Sequence, residues 1–388
     1  MTQVGIDVLA AEARRGASAL RLARIGLVTN PSAVTATGEC SWEVLLGAGF
    51  RIAAFFGPEH GFRGDAQADV AVADGEYRGI PSYSLYGARR TPEPWMLEGL
   101  DAIVFDIQDV GCRYYTYLYT LANIARACEL ARLPLTVLDR PNPLGGVEVE
   151  GSPLPEDESS FVGGYRLPPR YGLTIGEYAR YLRGEFFPAL QLEVVAMEGW
   201  SRSTRFAETL MPWVNPSPNI PGVATALAYP GTCLLEGTNL SEGRGTTRPF
   251  EFFGAPWIDG NALRARLAEL DLPGVRFAAA AFEPGYSKHA GSACGGAMID
   301  IVDEGAFKPL LAGIAILKTL RDLEPGRFAW LSHERNPGGP RRYAIDNLAG
   351  GGELRELIDA EAPLARIYGW ATAGEDGFRR SRSPYLLY

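Results

Sequence analysis

Short apolar runs at residues 24–29, 51–56, 102–107 and 135–138 alternate with helix-like stretches such as 42–48 and 117–131, and this alternation constrains the fold more than any other feature. Strands covered on both faces read as nearly continuous runs of Val, Ile, Leu and Phe, and helices between them supply the crossovers that parallel strands require. The expectation is an α/β chain built on a Rossmann-like, doubly wound parallel sheet. Residues 192–196 and 225–228 read as later strands. After about residue 240 the pattern changes to strands at 275–282 and 297–302 and an amphipathic helix at 310–323, so a second, smaller α+β domain is expected. The domains are placed at 1–238 and 239–388, with residues 236–249 as the hinge and a cleft between them.

Composition excludes several classes. The 388 residues are 46% apolar and 21% charged, as in ordinary folded enzymes. No apolar run reaches the ~20 residues of a membrane span. The net charge of −9 opposes binding to nucleic acid or to an anionic membrane, so the expected partner is a small-molecule substrate. Cys40, Cys112, Cys128, Cys233 and Cys294 form no C-x-x-C pair and read as reduced thiols. The N-terminal residues meet Asp7 and Glu12 without the basic-then-apolar run of an export signal, so a cytoplasmic location is expected. No dinucleotide or phosphate-loop fingerprint is present, and a multi-histidine metal site would need His60, His289 and His333 to meet, so neither cofactor nor metal is expected.

Four strands run straight into polar, Gly- or Pro-rich loops: Asn30-Pro31, Gly57-Pro58-Glu59-His60-Gly61, Gln108-Asp109, and Asp139-Arg140-Pro141-Asn142-Pro143. Ligands of open α/β sheets bind at the carboxyl ends of strands, so these loops should converge on one crevice. Glu59, His60 and Arg63 among glycines combine a carboxylate, an imidazole and a guanidinium. Glu59 suits a general acid if partial burial raises its pKa. Asp106 and Asp109 read as a paired-carboxylate site, as helix caps or as partners of Arg113. Tyr114, Tyr115, Tyr117 and Tyr119 read as core, with one ring suited to a sugar. Arg140 can hold a substrate carboxylate in a bidentate fork or pair with Asp139. Glu236, Asn239, Glu242 and Arg244 sit among glycines at the presumed junction, too polar for core, and clefts between domains commonly hold such groups.

Those motifs, with Tyr83-Ser-Leu-Tyr-Gly87, the Trp213–Pro221 stretch containing Asn219, Gly254-Ala-Pro-Trp257 and Lys288-His289, resemble the NamZ-type exo-β-N-acetylmuramidases in order along nearly the whole chain. The resemblance implies a Rossmann-like domain with a smaller C-terminal domain, an active site in the cleft between them, and cofactor-free release of N-acetylmuramic acid from the non-reducing end of peptidoglycan fragments. It implies Glu59 as catalytic acid, with Glu242 or Asp109 as the second carboxylate. His60, Arg63, Arg140, Asn142, Asn239 and Arg244 then line the cleft, and Asn30, Asp106, Gln108, Tyr115, Asn219 and Glu236 join them as candidate substrate contacts. Arg63, Arg140 or Arg244 can hold the lactyl carboxylate that distinguishes N-acetylmuramic acid from N-acetylglucosamine. Tyr171 stands where the resemblance leads one to expect His. The alternative class is a non-catalytic two-domain binder of muropeptides or sugars.

Overall fold

A computed structural model describes residues 2–64, 72–334 and 341–388; the His333 side chain lies outside the described residues. Strands β1 (Arg24–Thr29), β2 (Arg51–Gly57), β3 (Gly75–Tyr77), β4 (Ile80–Ser84), β5 (Ala102–Asp106), β6 (Leu135–Leu138) and β7 (Leu192–Val195) form one sheet of order β3-β4-β2-β1-β5-β6-β7. All neighbours pair in parallel except the antiparallel edge pair β3–β4. From β1 the chain builds outward through β2 to one edge and then through β5, β6 and β7 to the other, so the topological switch point lies between β1 and β5.

Alternation along each strand decides which helices cover which face. Ile25, Leu27, Phe55 and Val104 pack with helices α1 (Gly5–Arg14) and α2 (Ser41–Gly47). Val28, Phe56, Ile103 and Phe105 pack on the opposite face, where α3 (Pro94–Leu97), α4 (Tyr117–Ala131) and α5 (Ile175–Glu185) lie. Both faces are therefore buried, and β5 and β6 are buried at every residue. Helix α5 starts on a capping box, Thr174 accepting from the Glu177 amide while the Glu177 carboxylate accepts from the Thr174 amide.

The second domain carries an antiparallel sheet of order β8-β10-β9, from β8 (Phe252–Ala255), β9 (Val275–Phe282) and β10 (Cys294–Ile301). It is reached through α6 (Val223–Thr232), and α7 (Gly260–Ala268) and α8 (Pro309–Leu323) pack around it. Residues 225–228, expected as a strand, lie inside α6. That run is apolar and fully buried, and a short buried stretch carries no period that separates helix from strand. Helices α6 and α8 touch backbone to backbone, because a Cβ at Gly231 would meet Pro309 O at 2.0 Å and one at Gly313 would meet Gly231 Cα at 2.3 Å. The core on the α4 face runs on into this domain without a break.

Residues 145–171, whose Gly, Pro, Ser and acid content reads as an irregular excursion that lines or lids a site rather than as a linker, are held by long-range arginine contacts. Arg113, fully buried, donates to the carbonyls of Leu167 and Leu348 rather than to Asp106 or Asp109. From the C-terminal helix, Arg382 donates to Tyr171 O at 2.8 Å and Val147 O at 2.8 Å, and burial pulls its guanidinium down to about 10. All five cysteines are free thiols, four of them buried. Among the described residues no helix is long and apolar enough to cross a membrane.

Candidate active site

Glu59 follows β2 and is 8% exposed; its Oε2 accepts the Thr116 hydroxyl at 2.5 Å, just ahead of α4. Next to it His60 takes φ +70°, a left-handed conformation that a non-glycine residue holds only when its surroundings enforce it. Glu59 and Thr116 stand in a wall shared by two cavities. On one side is a small hollow of about 50 Å³, lined also by His60, Tyr115, Asn219 and Arg244 and backed by Tyr229 and Phe250, whose rings meet edge-on at 4.7 Å. On the other side is a groove of about 520 Å³ between α4 and the 159–166 segment.

Arg244 is the cation of the hollow. Its Nε and Nη2 contact Glu236 Oε1 at 3.0 and 2.6 Å, and Nε lies 3.4 Å from Glu242 Oε1. These bonds, with the Phe250 ring 4.9 Å away, fix the fork and leave Nη1 without a protein partner among the described residues. The carboxylates beside it hold the guanidinium firmly charged despite its burial. Glu242 is itself 1% exposed and pairs through Oε2 with Lys288 Nζ at 2.7 Å, so both of its oxygens serve the ion-pair network and neither faces a cavity. Asn239 ties this loop to the chain at 327–329, donating to Arg327 O at 2.8 Å and accepting from Ala329 N at 3.0 Å. Asn219 Oδ1 accepts the Tyr286 hydroxyl at 2.5 Å.

The switch-point crevice, where Rossmann-like sheets take dinucleotides, is filled by protein groups instead. Asn30 donates to the Tyr117 hydroxyl at 2.8 Å and accepts from the Ser32 amide. Gln108 Nε2 donates to the carbonyls of Asp109 and Pro141, both at 2.8 Å. Asn142 bridges Leu173 O and Leu144 N, each at 2.9 Å. Arg140 forks onto Asp106, not Asp139, with Nη2 at 3.0 Å from Oδ2, and also donates to Val34 O at 2.8 Å. Asp139 instead caps its own loop, Thr174 and α5, and takes the Tyr388 hydroxyl at 2.7 Å. Asn30, Asp106, Gln108, Arg140 and Asn142, candidates for substrate contact, are each hydrogen-bonded within the chain, whereas Glu59 lines both the hollow and the groove. Arg63 is exposed and lines a separate hollow with Phe62 and Tyr83, away from Glu59.

Asp109, the other candidate second carboxylate, lines neither cavity. Its Oδ2 accepts the Gly111 amide at 2.7 Å and the Tyr171 hydroxyl, forming a loop turn well before α4 rather than the helix cap. Its Oδ1 is buried without a hydrogen-bond partner, and burial raises the carboxyl to about 6. Tyr171, where His was expected, is thus the partner of this carboxyl, a neutral donor in place of an ionisable one. Because the folded pKa lies above the ordinary value of 3.8, the folded state holds a proton the unfolded chain has lost between those values. Stability from this group is therefore present at low pH and lost as pH rises through about 4 to 6. Relative to wild type, Asp109→Asn is expected to gain up to about 2–3 kcal/mol across that window and nothing further above it. Denaturant titration of both proteins across this pH range checks it; a stability difference independent of pH would contradict the assignment.

Sequence reasoning gave no individual role to Thr116 or Lys288. Thr116 carried a signal, as the last residue before a helix that starts close to a strand-end loop.

Two family descriptions match the chain in sequence. Residues 25–224 match the N-terminal part of the exo-β-N-acetylmuramidase NamZ, and residues 227–388 its C-terminal part. The peptidoglycan β-N-acetylmuramidase NamZ of Bacillus subtilis (strain 168) is 42% identical over 389 aligned positions, covering 100% of this chain and 91% of the relative. Crystal structures of two DUF1343 family proteins from Bacteroides fragilis NCTC 9343 superpose with TM-scores of 0.89 and 0.78 at 33% and 27% identity, over 100% of this chain and 99% of each of theirs. In sequence along its whole length, and in both the large α/β sheet and the smaller antiparallel one, this chain belongs to the NamZ family of exo-β-N-acetylmuramidases.

Proposed function

We propose that the chain hydrolyses the terminal β-glycosidic bond of peptidoglycan-derived saccharides at the wall between the two cavities, releasing N-acetylmuramic acid, with Glu59 protonating the leaving oxygen. The observation that carries this reading is the position of Glu59, one carboxyl that lines both a hollow of about 50 Å³ and a groove of about 520 Å³. An exo-acting glycosidase needs an asymmetry of room about the acid: a small side for the end of the chain and a large side for the rest of the polymer. General acid catalysis requires the acid at the bond between the two.

Arg244 supplies the selectivity in this reading. A hollow of about 50 Å³ takes a substituent of the terminal sugar, whose ring then lies at the mouth of the hollow beside Glu59, and the lactyl carboxylate is the substituent that suits a fixed guanidinium whose Nη1 has no partner among the described residues. Glu242 and Lys288 then serve to hold Arg244 in place. Five unpaired cysteines, four of them buried, fit a cytoplasmic role on imported wall fragments.

Para-nitrophenyl β-N-acetylmuraminide, run beside the β-N-acetylglucosaminide, tests the reading. Release from the first alone is expected, and Arg244→Met is expected to reduce its kcat/KM on the order of 10- to 100-fold while leaving the residual preference between the two substrates small. Tight binding of muropeptide with no turnover of any muraminide would replace the hydrolase with a binding protein.

A further inference from the structure

The groove beyond Glu59 is about ten times the size of the hollow and falls within the ~300–1,000 Å³ usual for ligand sites, which is more room than one leaving sugar fills. Its wall comes from three places: the loop at 86–91, the first turns of α4, and the ordered excursion at 159–166. Aromatic rings form much of it: Tyr86 and Phe161 lie 6.1 Å apart, and Tyr119 stacks on Tyr165 at 6.5 Å, so the half-buried rings of Phe161 and Tyr165 give the groove an apolar wall suited to the C–H groups of sugars.

The charges on this wall are not equivalent. Arg166 pairs with Glu185 at 3.1 Å, and Arg89, next along the loop, is spent on Asp74 and Glu93. Arg90 has no ion pair among the described residues; its guanidinium is parked over the Phe161 ring at 3.7 Å from the centroid, so it is positioned but not neutralised. Across the lining, exposed Glu156 is the opposing charge.

We infer that this groove binds the saccharide on the reducing side of the scissile bond and that Arg90 pairs a carboxylate carried there, so that the preferred substrate has an anionic leaving portion longer than one sugar. The inference deepens the muramidase reading above and rests on it. In a glycan strand of alternating N-acetylglucosamine and N-acetylmuramic acid, the next carboxylate after the terminal sugar is the lactyl group two units along. The terminal lactyl group and this one are then read by two arginines on opposite sides of Glu59, Arg244 in the hollow and Arg90 in the groove.

The test compares kcat/KM for the disaccharide MurNAc-GlcNAc and the tetrasaccharide MurNAc-GlcNAc-MurNAc-GlcNAc in wild type, Arg90→Gln and Glu156→Gln. Wild type is expected to prefer the tetrasaccharide on the order of 10-fold. Arg90→Gln should bring the ratio to near one, Glu156→Gln should raise it, and added salt should lower it in wild type, since the pair is partly exposed. The Arg90 side chain is exposed and its one contact is with the Phe161 ring, while the backbone carbonyl that accepts from Asn123 is unchanged by Arg90→Gln, so a folding defect does not confuse the comparison. Equal rates on the two substrates in wild type, or a preference that survives Arg90→Gln, overturns the inference while leaving the muramidase standing. Absence of muramic acid release from both substrates overturns the muramidase reading and this one with it.

Discussion

Glu59→Gln is expected to fold as the wild type does and to lose about 10²- to 10⁴-fold in kcat, the range that a positioned general acid supplies. The substitution keeps the shape and an oxygen to accept the Thr116 hydroxyl, so the hydrogen bond beside α4 survives. What disappears is the proton for the leaving oxygen. The loss should depend on that oxygen: large for a sugar, whose alkoxide is a poor leaving group, and smaller for para-nitrophenolate, which departs with less protonation. Binding of N-acetylmuramic acid, followed by calorimetry, should change little. A variant that matches wild type on the disaccharide would remove Glu59 from the chemistry, whereas one that fails to bind the sugar would make it a binding group.

Arg140→Met should cost about 3–5 kcal/mol of stability, the penalty for leaving a buried partner charge uncompensated. Arg140 is 1% exposed and Asp106, at the end of the central strand β5, is fully buried. Without the guanidinium the Asp106 carboxylate keeps only the Ser41 hydroxyl, and Val34 O loses its donor. Adding Asp106→Asn to Arg140→Met should restore a large part of the loss, because it removes the stranded charge. Denaturant midpoints for the three proteins measure this. Were Arg140 instead a substrate ligand, the single variant would keep wild-type stability and show its defect in KM. Arg244→Met is expected to lose less stability than Arg140→Met, because Glu242 keeps Lys288 and Glu236 is partly exposed, and to show its larger defect in KM.

The divided fates of the arginines show where sequence reasoning reached its limit. Arg63, Arg140 and Arg244 looked alike as candidates for an anion, each beside glycines or prolines at a strand end or junction. Whether a guanidinium is available depends on which carboxylate it meets, and Arg140 meets one 34 positions away. The same holds for the carboxylates. Glu242, with Asp109 one of two candidates for the second carboxylate, is met by Lys288 from 46 residues further along the chain. Glu59 escaped this fate because its partner is a neutral hydroxyl. The strand-end loops were legible as a group, and the structure brings them to one end of the sheet, but it engages Asn30, Gln108, Asp106, Arg140 and Asn142 in bonds to other parts of the chain.

By itself the sequence determined the order and type of most elements, the parallel sheet and the family, because burial on both faces is written as continuous apolar runs and turns are written locally in Gly, Pro, Asn and Asp. It left the short buried run at 225–228 undecided between strand and helix for want of a period. Only the tertiary structure decided which charges are consumed and which face a cavity, and where the groove lies. Those outcomes rest on pairings such as Arg113 with Leu348 and Arg382 with Val147, each joining residues 235 apart. Contacts of that range leave no local pattern, since a charged side chain reads the same in sequence whether its partner is another residue or a substrate.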